Sequence, residues 1–241
     1  MHVEELAKTI DHTLLRPDGT ARDVERLCRE AADYHFATVC VLPYYVPLAH
    51  DLLKSADVKV CAVIAFPYGA EGARTKVVAA EEAVRRGADE LDVVMNIPAM
   101  LSGDFGRVRD ELAGVVRAAN LCAVNSGTGP VIVKGIIETC YLTRKMKKLA
   151  CAIVENAGCD FVKTSTGTGP RGATVQDVQL LRDCVGAHVG VKASGGIRTY
   201  RDAARMINAG AARLGTSAGV AIVEDYLAGS VTTSSGDRLG T

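Results

Sequence analysis

Eight short apolar, β-rich runs alternate with longer amphipathic stretches, and three helix ends close on a glycine just before such a run. Together with a length of 241 residues, these observations predict an α/β protein, a single-domain (β/α)8 (TIM) barrel. Eight units of about 30 residues each match the minimum comfortable size of a strand–helix unit, so eight parallel strands can close on themselves. The competing arrangement is an open doubly wound sheet, which is weaker because no G-x-G-x-x-G follows the first run.

Strands are expected at 9–13, 38–42, 58–66, 90–95, 131–137, 161–163, 189–192 and 213–215. Between them, Thr20-x-x-Asp23, Thr174-x-x-Asp177 and Thr199-x-x-Asp202 each read as a box that opens a helix, the threonine oxygen accepting an orphan N–H of the first turn. In the first of these helices Val24, Leu27, Cys28 and Ala31 recur at intervals of three and four, which places them on one face against the sheet. The segments RRGADELD, NAGCDFVK and NAGAARLG form an internal repeat in which Gly87, Gly158 and Gly210 read as helix C-caps. Glycine adopts the left-handed backbone there without steric cost, and a buried strand follows at once. Residues 1–228 form the expected barrel domain, and 229–241 are expected to be a disordered tail.

The composition limits the function classes. With 28 basic and 28 acidic side chains there is no surplus charge for a nucleic-acid backbone or an anionic membrane, so neither partner is expected. No stretch approaches the roughly 18 uninterrupted apolar residues of a membrane span, and MHVEELAKT has no apolar targeting core, so a cytoplasmic location is expected. The eight cysteines contain no C-x-x-C pair, which argues against a disulfide framework or a zinc knuckle. The five histidines show no metal-ligand spacing; His12, the one near a strand end, reads as structural.

In a barrel of this kind the chemistry sits at the C-terminal strand ends. Four such ends carry reactive side chains: Asp92 in ELDVVMN, Lys134 in VIVKGII, Lys163 in DFVKTSTG and Lys192 in VGVKASGG. The lysines are spaced by 29 residues each, one unit apart, which places them on strands five, six and seven of one rim. Adjacent cations should disfavour each other's charge and lower at least one pKa, leaving a neutral amine able to form a Schiff base with a carbonyl. The plainer alternative is that each lysine pairs with a carboxylate or snorkels to the rim; three in register favour function. Asp92 reads as a counter-ion, a proton carrier, or both. Ser194-Gly195-Gly196 and Gly215-Thr216-Ser217 stand before helix starts on the last two strands, where amides and the Thr216 and Ser217 hydroxyls can hold a phosphate. The loop Thr164-Ser165-Thr166-Gly167 is expected to add to the same wall.

IDHTLLRPDGT, ELDVVMNI, FVKTSTG and VKASGGIRT in combination resemble the deoxyribose-phosphate aldolase family, class I Schiff-base aldolases, and the resemblance runs from Ile10 to Val223. It implies that Lys163 is the Schiff-base nucleophile, Lys192 the neighbour that lowers its pKa, and Asp92 the proton-relay acid. It also implies reversible aldol cleavage of 2-deoxy-D-ribose 5-phosphate to D-glyceraldehyde 3-phosphate and acetaldehyde, without metal or organic cofactor. A class I aldolase acting on another phosphosugar and a metal-free phosphosugar isomerase or synthase are the alternatives. Monomer and homo-oligomer are both compatible with the sequence. The chain departs from the family's usual pattern at Leu42, at Gly135, in the loop Thr168-Gly169-Pro170-Arg171, and in a tail without a tyrosine.

Overall fold

The computed structural model describes residues 1–127 and 129–235, with side chains through residue 229. All eight expected strands form: β1 (Ile10–Leu14), β2 (Thr38–Val41), β3 (Lys59–Ile64), β4 (Glu90–Val94), β5 (Ile132–Ile136), β6 (Phe161–Lys163), β7 (Gly190–Ser194) and β8 (Arg213–Thr216). Each pairs in parallel with the next, and β8 closes onto β1 through Ile10–Leu214, Asp11–Gly215 and His12–Thr216. The helices are α1 (Val3–Ala7), α2 (Ala21–Asp33), α3 (Val46–Leu53), α4 (Ala73–Arg85), α5 (Ile97–Leu101), α6 (Phe105–Ser126), α7 (Arg144–Asn156), α8 (Val175–Cys184), α9 (Tyr200–Asn208) and α10 (Gly219–Ser235). β3 stops two residues short of the expected span because Ala65 turns into the left-handed region at φ 54°. The expected tail starts inside α10, and residues 236–241 lie outside the described residues.

Local chemistry sets the helix ends. Thr20 and Asp23, and likewise Thr199 and Asp202, exchange side-chain and backbone hydrogen bonds in full capping boxes. The third box is half formed: Thr174 accepts from the Asp177 amide at 3.0 Å, but the Asp177 carboxylate turns to Lys147 of α7 at 2.5 Å. Gly87, Gly158 and Gly210 follow α4, α7 and α9 with φ of 104°, 82° and 106°, as their repeat position requires. Val24, Leu27, Cys28 and Ala31 are all buried between α2 and the barrel.

Gly135, a departure from the family pattern, has a packing reason. A Cβ built there would lie 2.8 Å from Val154 Cγ2 of α7, so β5 and α7 approach too closely for a side chain. Gly135→Val should therefore overpack this contact and cost about 1–3 kcal/mol, with partial recovery in Gly135→Val/Val154→Ala. Thermal unfolding of the two variants checks this; a Gly135→Val melting point equal to wild type would contradict the packing account.

Candidate active site

The barrel interior is charged. Asp92, completely buried on β4, accepts from three ammonium groups: Lys134 Nζ reaches Oδ1 at 2.9 Å, while Lys163 Nζ and Lys192 Nζ reach Oδ2 at 2.7 and 2.6 Å. Burial alone would raise the Asp92 pKa, but the three lysines outweigh it and hold the carboxyl well below its usual range. Deeper in the barrel, Arg213 Nε donates to Asp11 Oδ1 at 2.7 Å and its Nη2 lies 3.1 Å from Glu90 Oε2. Lys134 meets Glu90 at 2.5 Å, and Lys192 pairs with Asp11. The carboxylates thus come from β1 and β4, and the cations from β5, β6, β7 and β8, four against three.

This network changes the expectation drawn from neighbouring cations. Burial pushes the Lys192 pKa down, yet Asp11 and Asp92 outweigh both burial and Lys134, so the net direction is upward and Lys192 is held as an ammonium. Lys134 is likewise raised, by Asp92, Cys61, Glu90 and Asp11 against the penalty of burial. The three lysines also do not share one rim. Lys163 ends β6, level with Lys192, whereas Lys134 pairs with Phe161, two residues deeper. Of the three, only Lys163 lines a cleft of about 760 Å3 at the C-terminal ends of the strands.

The same cleft is lined by every expected phosphate residue: Thr166, Gly167, Gly195, Gly196, Gly215, Thr216 and Ser217. Their roles differ from the simple expectation. The Thr216 hydroxyl donates to the Ile197 carbonyl at 2.7 Å and accepts from the Ala218 amide at 2.9 Å, so it stitches two loops together and offers an anion no proton. The Thr166 hydroxyl is engaged by Glu138 and Thr168. At α9 the Arg198 and Thr199 amides go to Asp202 and are not free for an anion, while Gly195 and Gly196 before this helix line the cleft. Gly167, Gly196 and Ser217 remain exposed, and α10 starts two residues after Ser217.

The sequence profile of the DeoC/LacD family aldolases matches residues 6–225. The chain belongs to that family. It is 54% identical over 221 residues to the deoxyribose-phosphate aldolase of Thermoanaerobacter sp. (strain X514), covering 92% of this chain and 96% of that protein. The Thermococcus kodakarensis deoxyribose-phosphate aldolase is 52% identical over 226 residues, covering 93% and 98%. Among solved structures, the tetrameric deoxyribose phosphate aldolase of Aeropyrum pernix superposes with a TM-score of 0.85 at 37% identity, covering 94% of this chain and 92% of that one.

Within this DeoC/LacD family aldolase, sequence reasoning missed Asp11, Glu90 and Arg213, which meet one another only across the barrel. His12 is buried against Phe36 and its Nε2 lies 2.7 Å from Glu30; burial lowers its pKa despite Glu30, consistent with the structural role expected of it, although it also lines the cleft. Leu42, another departure, packs with Leu15 and Phe66 over Cys40, Cys61 and Val63. The atoms of Cys40, Cys61 and Asp92 lie within 4.8 Å of one another, but a metal ion there would face the three ammonium groups already on Asp92.

The network fixes a pH response. Asp11 is held below its usual pKa, burial's upward push being exceeded by Lys192, Arg213 and Lys134, so its contribution to stability is present above the unfolded value of about 3.9 and is lost as pH falls below it. The raised Lys134 and Lys192 contribute below about 10.4 and lose that contribution only in stronger alkali. The stability gap between wild type and Asp11→Asn, measured by denaturant unfolding, should accordingly be constant near neutrality and narrow below about pH 4. A gap unchanged down to pH 3 would refute the assignment.

Proposed function

We propose that the chain reversibly cleaves 2-deoxy-D-ribose 5-phosphate to D-glyceraldehyde 3-phosphate and acetaldehyde through a Schiff base on Lys163, with Lys192 and Asp92 as its electrostatic and proton-relay partners. The observation that carries the residue assignment is that Lys163 alone among the three interior lysines opens onto the cleft. Relatives above 50% identity over more than nine-tenths of the chain support the reaction.

In this reading the Lys163 amine attacks the C1 aldehyde of the open-chain sugar, and loss of water gives the iminium. A base takes the C3 hydroxyl proton, the C2–C3 bond breaks, and its electron pair moves into the iminium to give an enamine while glyceraldehyde 3-phosphate leaves. Protonation at C2 and hydrolysis then release acetaldehyde and restore the amine. The interior set holds four cations against three carboxylates. Lys163 is the member of the set with an exit to the cleft. Asp92 Oδ2 touches both Lys163 and Lys192, which makes it the connecting point for protons moving between the two amines.

The phosphate is assigned to Gly167, Gly195, Gly196, Gly215 and Ser217, with Thr166 and Thr216 holding the loops in place. The charge-balanced composition, and the lack of any helix among the described residues long and apolar enough to cross a membrane, fit a cytoplasmic enzyme of small phosphosugars with no nucleic-acid or membrane partner. The tetrameric Aeropyrum pernix relative supports a homo-oligomer, which sedimentation would measure.

Borohydride reduction with acetaldehyde or deoxyribose 5-phosphate should place the adduct on the peptide carrying Lys163 and leave Lys163→Ala unlabelled; Asp92→Asn should lower turnover by about 10²-fold or more. An adduct mapping to Lys134 or Lys192, or none at all, would remove the assignment. A Cβ at Gly196 would enter open space, although its φ of 83° adds backbone strain. Gly196→Ala should raise KM for the phosphorylated sugar at least about threefold more than for 2-deoxyribose, since the added methyl meets the phosphate. Equal changes for both sugars would move the phosphate elsewhere.

A further inference from the structure

Glu138 follows β5 and takes no part in the steps above, yet it has three unusual properties. It is 2% exposed, its backbone sits in the left-handed region at φ 49°, and its partners among the described residues are all neutral donors. Those donors are the Thr166 amide at 3.1 Å, the Thr166 hydroxyl, and the Cys140 thiol at 3.6 Å. A buried carboxylate without a counter-ion and on a strained backbone is expensive to keep, and such positions cluster where geometry matters for function.

What it holds is the loop after β6. The Thr166 hydroxyl, fixed by Glu138, accepts in turn from the Thr168 amide at 3.1 Å. Gly169, in the segment where this chain departs from its family, lies over the same carboxylate: a Cβ there would be 3.4 Å from Glu138 Oε1 and 3.0 Å from Cys140 Sγ. On the other side the loop meets the loop after β7 backbone to backbone. A Cβ on Gly195 would lie 2.8 Å from Gly172 Cα and 3.4 Å from Gly167 Cα, and the Ala173 amide donates to the Ser194 and Gly195 carbonyls. Gly167 is thus held between an anchor on β5 and the glycine loop of β7.

We propose that Glu138 is a positioning residue for phosphate recognition: by clamping the amide and hydroxyl of Thr166 it places Gly167 beside Gly195 and so sets the shape of the anion cradle. The proposal rests on the phosphate assignment made above. A charge-assisted clamp of this kind acts on binding of the phosphate end and leaves the Lys163 chemistry in place.

The experiment measures kcat and KM for 2-deoxyribose 5-phosphate and for 2-deoxyribose, with inorganic phosphate as competing ligand, in wild type, Glu138→Gln and Glu138→Ala. Glu138→Ala should raise KM for the phosphorylated sugar and the inhibition constant of phosphate by about tenfold, with kcat within about threefold and KM for 2-deoxyribose within about twofold. Glu138→Gln keeps the shape and an acceptor oxygen but loses the charge, so it should fall between the two, with a rise of about threefold. If Glu138→Ala does not fold, the Glu138→Gln ratio decides. Unchanged KM values, equal changes for both sugars, or a shared loss of kcat would each overturn the proposal. The phosphate assignment fails separately, in the wild type itself, if that protein neither prefers the phosphorylated sugar nor is inhibited by phosphate.

Discussion

The charged interior of this barrel depends on one carboxylate that is shared among three ammonium groups. Asp92 is encircled by three ammonium groups at buried positions, and none of the four charges could stay buried alone. Because Asp92 cannot neutralise all three lysines, the second layer of Asp11, Glu90 and Arg213 is needed to settle Lys134 and Lys192. Lys163 differs from both: Asp92 is the one carboxylate it reaches within ion-pair distance among the described residues, and its other side faces the cleft. Chemical difference among three equivalent side chains therefore comes from how many carboxylates each one meets.

Much of this was legible in the sequence because short-range chemistry controls it. Threonine boxes and C-cap glycines mark helix ends by local backbone requirements, and a repeat of 29 residues fixes which strands carry the lysines. What escaped was whatever depends on neighbours across the barrel. Asp11 and Arg213 are 202 positions apart and share a hydrogen bond, and Glu90 reaches the same guanidinium over 123 positions. No window along the chain contains such a contact. The upward shift of Lys192 is hidden from the sequence for the same reason, since Asp11 on β1 and Asp92 on β4 together outweigh burial and Lys134.

The glycine-rich lining of the cleft shows a similar division. Its glycines could be named from their place after the last strands, but the use made of Thr166 and Thr216 could not. Both hydroxyls are spent on neighbouring loops, so each contributes by holding backbone in position. Loop geometry is built in part from side chains whose hydrogen bonds run to neighbouring loops, and counting polar groups along the sequence does not reveal those bonds.

The distribution of charge along the chain carries a consequence for assembly. Strands β1 to β4 bring the interior carboxylates and β5 to β8 bring the interior cations, so the first half of the barrel is an acid surface and the second half a basic one. Either half folded alone would bury like charges with nothing to answer them. Closure between β8 and β1, and pairing between β4 and β5, are then the events that neutralise the interior, which couples ring closure to the whole of the fold. A half-barrel of this protein would be an incomplete salt, and its natural complement is the other half.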